Sequence, residues 1–340
     1  MPYTKPIVLL ATAAVAFAVA AILGRKLIPL LHKLKFGQTI LDIGPSWHKN
    51  KQGTPTMGGI LFILGMLFAV LLALVFCGTA LQFNLFKESV PTQIRLIAGL
   101  ILALGCGAIG FVDDYVKIRK KRNLGLTDKQ KLFLQLLLSF GYGLLLYIGG
   151  EGARTFAVPF LGWVDFGIWV IPLAMLIVVG ASNATNLTDG VDGLCGSVSV
   201  FAAAAFMAVA GIEGAFYQSL MGAALIGGLM GFLVYNLHPA KVFMGDTGSL
   251  FIGGTLCAIA FGTGHPLLLV PFGVVYIMET LSVILQVTYF KLTHGKRLFR
   301  MSPIHHHFEM GGWSENRIVL TFCGITLVVS GITIALLLIF

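Results

Sequence analysis

The sequence predicts an all-α polytopic membrane protein of about ten transmembrane helices. Three observations carry that prediction. Of the 340 residues, 57% are hydrophobic and only 11% charged, whereas a soluble domain of this size carries roughly a quarter charged residues. Mean hydropathy is +0.92. Apolar runs approaching the length a helix needs to cross a bilayer, about 20 residues, recur along the whole chain.

The first run, Ile7 to Leu23, is long for a signal-peptide core and is followed by Arg25 and Lys26, so it reads as a retained span at about 6–24. Further spans are expected at about 58–77, 94–112, 132–149, 167–182, 196–212, 217–236, 249–263, 268–290 and 318–339. The fifth and eighth are short and contain glycine. No internal repeat or low-complexity tract breaks the chain, and residues 1–340 read as a single membrane domain. The five cysteines lie scattered in or beside apolar runs with no CxxC spacing, as small core residues do, and suggest neither disulfides nor zinc.

Loop charge sets the expected orientation. The loops after the odd-numbered spans hold 19 of the 23 Lys and Arg residues; the opposite side has only Lys5, Lys87, Arg95 and Arg154. By the positive-inside rule the odd-numbered loops are cytoplasmic and both termini lie outside. The net charge of +9 is then mainly a topology signal. A nucleic-acid partner would need a soluble basic face, which is missing, so no nucleic-acid partner is expected.

The residues capable of chemistry collect on that same face. Nine of the fourteen acids are there (Asp42, Asp113, Asp114, Asp128, Asp189, Asp192, Asp246, Glu309 and Glu315), as are seven of the eight histidines. A transporter would keep its polar groups near the midplane, yet Glu279 is the one acid clearly inside a span, with Gln286 two turns along. A catalyst working where membrane meets cytosol is the better fit. Its site would be built from the loops at about 25–57, 113–131, 183–195, 237–249 and 291–317.

Four clusters stand out. In "GFVDDYVKIRKKRNLGLTDKQK" Asp113 and Asp114 end the third span, and Lys117 lies one helical turn after Asp113; this is either a cap with an i,i+4 ion pair or a functional carboxylate pair. "NATNLTDGVDGL" places Asp189 and Asp192, each followed by Gly, within a stretch from Arg154 to Lys241 that has no intervening Lys or Arg. It is either a polar loop capping two spans or one wall of a ligand cleft. "NLHPAKVFMGDTGSL" sets Asp246 in a glycine-flanked turn, as a helix N-cap or as a ligand where backbone comes close. "HGKRLFRMSPIHHHFEMGGWSENR" holds three consecutive histidines near Lys296, Arg297 and Arg300. Adjacent residues point different ways, so an anionic substrate suits them better than one zinc ion.

The clusters also make one chemical argument. Acids from three loops converge only if the spans bundle, and two carboxylates about 4 Å apart repel by about 4 kcal/mol at an effective dielectric of 20. A divalent cation relieves this, and hard oxygen ligands favour Mg²⁺ or Mn²⁺. Such an ion beside Lys, Arg and His suits phosphoryl transfer. A P-loop is not part of it, since no GxxxxGK[ST] occurs.

"DDYVK", "NLTDGVDGL", "KVFMGDTGSL" and "PIHHHFE" resemble the polyprenyl-phosphate N-acetylhexosamine-1-phosphate transferases. With "KQGTPTMGG" at residue 51, the order of motifs is similar to the phospho-N-acetylmuramoyl-pentapeptide transferase branch. The resemblance runs from there to "PIHHHFEMGGW" and implies ten spans with termini outside, a Mg²⁺ requirement and a homodimer in the bacterial cytoplasmic membrane. It implies transfer of phospho-N-acetylmuramoyl-pentapeptide from UDP-N-acetylmuramoyl-pentapeptide to undecaprenyl phosphate, giving lipid I and UMP. By motif, Asp246 resembles the magnesium ligand, and Asp113 and Asp114 the pair supporting metal and nucleophile. His305 and His306 fall where the catalytic and phosphate-contacting histidines are, with Lys117 and Lys129 as further active-site cations. Lys51, Asp192, Asn236 and Phe243 resemble the uridine pocket, with Gly190 and Gly193 admitting close backbone. Thr56, Asn183, Asn186, Asp189 and Gln286 resemble the lining of the adjoining cleft. On this reading Asp192 is free to accept the uracil N3–H because no Lys or Arg has claimed it. A GlcNAc-1-phosphate transferase of the same superfamily, and a lipid or solute transporter, are the alternatives.

Overall fold

The computed structural model describes residues 4–33, 51–80, 85–120 and 124–339; most of the expected 25–57 site loop, including Asp42, lies outside the described residues. Helix α1 (Thr4–Lys33) is followed by α2 (Gly59–Thr79) and α3 (Val90–Arg119), with Pro91 just inside the start of α3, where a missing N–H costs nothing. Thr127 opens α4 (Asp128–Ile148) with a capping box: its hydroxyl accepts the Gln130 N–H and the Gln130 side chain accepts the Thr127 N–H. A short helix, α5 (Glu151–Arg154), leads into strands β1 (Thr155–Val158) and β2 (Gly162–Asp165), antiparallel with Thr155 opposite Asp165. This hairpin departs from the all-helical expectation. It is tied off by a two-point contact of Arg154 with Asp165, at 2.8 and 3.2 Å.

The chain continues through α6 (Val170–Thr188), α7 (Leu194–Ile212), α8 (Phe216–Asn236) and α9 (Gly245–Gly262). After the single turn of α10 (Leu269–Phe272) come α11 (Val274–Leu292), the short α12 (Ile304–Glu309) that carries the histidine run, and α13 (Glu315–Ile339). Among the described residues nine helices are long and apolar enough to cross a membrane, so this is a multi-pass membrane protein. The eighth expected span forms α9, which is not one of the nine. Every residue of α9 from Thr247 to Gly262 is buried, and α2, α3, α6, α7 and α8 all pack on it. Outside this core the usual polarity of a soluble protein is inverted: Leu64, Phe68, Leu71, Leu176, Leu320 and Val328 are exposed, as a lipid-facing surface requires.

In lipid, helices gain little from hydrophobic exclusion and adhere where small side chains let backbones approach. The α3–α9 contact is built this way. Gly99 lies against Ala258, Gly254 against Ala103 and Cys106, and Gly107 against Phe251. At the end of this seam a Cβ on Gly110 would run into the Asp246 carbonyl. Substituting Gly110 with Ala should therefore destabilise the bundle by about 1–3 kcal/mol, the usual range for overpacking. Gly141→Ala, where a Cβ meets nothing within 4 Å, serves as the control. Thermal unfolding in detergent tests this, and a Gly110→Ala melting temperature equal to that of Gly141→Ala would refute it.

Candidate active site

One end of the bundle gathers the end of α3, the starts of α4, α7, α9 and α13, and the ends of α6 and α8. Asp113 and Asp114 close the buried face of α3, and the Gly110 contact brings them beside the start of α9. Asp114 spends both oxygens on that start: Oδ2 accepts the Thr247 N–H (2.9 Å) and hydroxyl (2.7 Å), and Oδ1 accepts the Asp246 N–H (3.2 Å). The carboxylate of one helix thus satisfies the orphan donors of another. Asp113 Oδ1 accepts the Leu126 N–H at 2.8 Å, and its Oδ2 lies 2.6 Å from Lys117 Nζ. Asp246 Oδ1 accepts from Asn186 Nδ2 (2.8 Å), while Oδ2 takes Lys131 Nζ (2.8 Å) and Lys117 Nζ (3.2 Å). Asn186 is itself shared with Ser249 Oγ at 2.8 Å.

Asp113, Asp114 and Asp246 each offer an oxygen within 4.8 Å of the others. Two lysines face three carboxylates, which leaves a hard-oxygen set with net negative charge. That chemistry fits Mg²⁺ or Mn²⁺. Asp246 and Asp113 are the better candidate ligands, because Asp114 is committed to the α9 backbone.

The expected lysine of α4 needs correction. Lys129 is exposed, and the cation that reaches Asp246 is Lys131, two residues on and roughly 200° around the helix. Lys131 shares its face with the buried Gln135, Ser139 and Tyr142. That i, i+4, i+8 spacing of polar residues in a membrane helix was the signal that identifies it.

A second cluster sits around the turn from Asp189 to Gly193. Asp192 is not free of partners: the cation Lys51 has Nζ 2.8 Å from its Oδ1, and the His238 ring has Nδ1 3.1 Å from its Oδ2, which also accepts the Ala240 N–H. The absence of Lys and Arg nearby in sequence did not survive folding, since these partners come from loops 141 and 46 residues away. Glu315, at the start of α13, completes the cluster. Its Oε2 takes Lys51 Nζ at 2.7 Å and the Asp192 N–H at 3.0 Å, and its Oε1 lies 3.3 Å from His238.

Asn236 is buried and bonded to backbone on both ends of its amide. Its Oδ1 accepts the Gly193 N–H (3.1 Å) and its Nδ2 donates to the Val242 carbonyl (2.9 Å), stitching two loops together. Phe243 pairs its backbone with Pro55 and Gly58, at 2.8 Å each, which fixes the segment holding Thr56. Asn183 donates to Gln135 and to the Val179 carbonyl inside the α4–α6 contact. Gln286 accepts from Leu298 and Phe299 and donates to the Phe299 carbonyl, so it tethers the loop before the histidine run.

The three histidines take three different environments. His305 is fully buried, with Nδ1 3.0 Å from Glu279 Oε2. His306 Nδ1 lies 2.6 Å from Glu309 Oε2. His307 Nδ1 accepts the Arg300 N–H at 3.1 Å. No zinc-like convergence of the three exists among the described residues.

Residues 96–263 match the family model for glycosyl transferase family 4, and residues 51–63 match the phospho-N-acetylmuramoyl-pentapeptide-transferase signature 1. The chain is 48% identical over 326 residues to the phospho-N-acetylmuramoyl-pentapeptide-transferase of Listeria monocytogenes serotype 4b, covering 94% of this chain and 95% of that one. It is 45% identical to that of Halalkalibacterium halodurans, with 93% of each covered. Against the Bacillus thuringiensis protein of that name identity is 46%, over 96% of this chain and 97% of the other. The chain belongs to the phospho-N-acetylmuramoyl-pentapeptide-transferase family. The signature begins at Lys51, the residue that bridges Asp192 and Glu315, and the wider model spans both Asp113–Asp114 and Asp246.

Between the two clusters lies Asp189. Burial first, and then the negative charges of Asp246, Asp114 and Asp192, push its carboxyl up to about 8. An unfolded aspartate titrates near about 3.9, so from there to about 8 the folded chain holds a proton that the unfolded chain has released. Stability therefore falls as pH rises through this window and levels off above it. In chelator, Asp189→Asn should flatten the fall in melting temperature between about pH 5 and about pH 8. Parallel curves for the variant and the parent would contradict the assignment.

Proposed function

We propose that this protein transfers phospho-N-acetylmuramoyl-pentapeptide from its UDP carrier to undecaprenyl phosphate, giving lipid I and UMP. The observation that carries this reading is the cluster of three aspartates and two lysines at one end of the bundle, in a chain of this family. An oxygen of the lipid phosphate forms a bond to the phosphorus that bears the sugar. The bond from that phosphorus to the bridging oxygen breaks, and UMP leaves with the electron pair. One phosphoanhydride replaces another, so the step is close to thermoneutral.

Asp246 and Asp113 would hold Mg²⁺, which neutralises charge on the diphosphate when bound. Lys117 and Lys131 supply fixed positive charge at the same place, available to non-bridging oxygens. Asp114 holds the start of α9 so that Asp246 keeps its aim. Lys51, Asp192, Glu315 and His238 make a polar wall for the uridine, with the 189–193 turn between it and the metal side.

Placing this end in the cytosol is supported by the concentration of Lys and Arg in the loops there, and a bacterial membrane by the relatives, which are bacterial. The reading carries with it ten spans, termini outside, and assembly as a homodimer in the cytoplasmic membrane. A GlcNAc-1-phosphate transferase is disfavoured by the signature match at 51–63.

The decisive test is UMP release in detergent with a short polyprenyl phosphate, comparing UDP-N-acetylmuramoyl-pentapeptide with UDP-GlcNAc. UMP should appear only with the muramoyl substrate and only with Mg²⁺, and Asp246→Asn should lose it by orders of magnitude. Release from UDP-GlcNAc alone would transfer the protein to the related activity. In the same assay Lys131→Met should lower kcat by about 100-fold, the scale for one electrostatic donor, and Lys129→Met should leave it near the parent value. The reverse ranking would remove Lys131 from the site.

A further inference from the structure

Glu279 is the acid inside α11, fully buried, at a depth where an unpaired carboxylate is costly. Its side-chain neighbour is His305, from α12. Nδ1 of His305 lies 3.0 Å from Glu279 Oε2, with side-chain exposures of 1% and 0%, and the His305 N–H donates to the same oxygen at 3.4 Å. The other face of the imidazole carries a different contact. Nε2 sits directly against Gly190, so closely that a Cβ on that residue would collide with it. Nε2 and Nδ1 are both buried and neither forms a well-aligned hydrogen bond among the described residues, so the 3.0 Å approach of Nδ1 to Oε2 is a close polar contact, and Glu279 Oε1 is likewise unbonded. His305 is thus wedged between a carboxylate in the helix core and the backbone of the 189–193 turn, rather than opening into the cleft.

We propose that Glu279 is a positioning residue: it holds the His305 ring against Gly190, and so sets the turn that carries Asp189 and Asp192. The two buried polar groups have little freedom, because rotating the ring away leaves the carboxylate only the long backbone N–H contact in an apolar surrounding. The glycine is required from the opposite side, since any side chain at 190 would push the turn off the ring. The pair therefore links α11 to the loop between α6 and α7.

The kinetic part of this inference rests on the proposed nucleotide transfer; the structural part does not. In 15N-histidine NMR of the full-length protein, with His305→Asn assigning the signal, Glu279→Gln should shift the His305 ring resonances without substrate present. Glu279→Gln should also weaken UMP binding by about 10-fold or more, the lower end of the loss seen when a carboxylate orienting a metal-bound histidine is removed, with the KM for lipid phosphate unchanged. Glu279→Gln combined with His305→Asn should lose no more than the worse single variant. Gly190→Ala, which disturbs the same contact from the turn, should weaken UMP binding in the same direction. Unchanged ring resonances in Glu279→Gln, or single-variant losses that multiply in the double variant, would overturn the proposal. If the muramoyl substrate is not turned over while the resonances shift as stated, it is the assigned reaction that fails and not the positioning role.

Discussion

The site depends on how closely α3 approaches α9. Asp113 and Asp114 lie more than 130 residues before Asp246, and no loop joins them. What brings them together is a seam of Gly99, Ala103, Cys106, Gly107 and Gly110 meeting Ala258, Gly254, Phe251 and the Asp246 backbone. Bulkier residues along that seam would part the helices, and the carboxylates would lose one another before any chemistry was affected. Packing and catalysis are therefore hard to separate here. Asp114 adds the polar half of the same joint, because it binds the α9 N-terminus through three hydrogen bonds.

Charge balance follows from that joint. Three aspartates forced together by helix packing would repel, and the molecule answers with Lys117 from α3 and Lys131 from α4. Asp246 is shared by both lysines and by Asn186, whereas Asp114 interacts mainly with backbone and a hydroxyl. The three carboxylates thus do different work despite their proximity. One anchors a helix, one sits at the junction of the cations, and one ties the 124–126 segment to the end of α3 through the Leu126 N–H.

Much of this was legible in the residues. Apolar run length locates the nine helices able to cross a membrane among the described residues and the buried α9, and the four motif clusters do meet at one end. What failed did so for want of phase and partners. Lys129 and Lys131 are equivalent to a motif reading, and only the helical face shared with Gln135 and Ser139 separates them. Asp192 looked free of cations because no Lys or Arg is near it in sequence, but Lys51 arrives from a distant loop, as does the His238 ring. Asn236 and Gln286 have the chemistry of ligand-binding amides, yet both are spent holding backbone. Glu315 and His238 gave no signal alone, since a charged residue at a helix start and a histidine before proline have ordinary explanations.

The 189–193 turn is where the two clusters become one site. Asp189 lies toward Asp246 and Asp114 closely enough that their charges raise its affinity for a proton, while Asp192 belongs to the Lys51–Glu315–His238 group. The turn between them is short and glycine-rich; Gly193 adopts a positive φ of 76°, which a side chain would resist, and Gly190 has no room for one. A displacement of this turn moves both aspartates together. The turn's backbone is held at Asp192 by Glu315 and at Gly193 by Asn236, with His305 against Gly190. The position of the turn is then set by groups that flank it, on α8, α12 and α13.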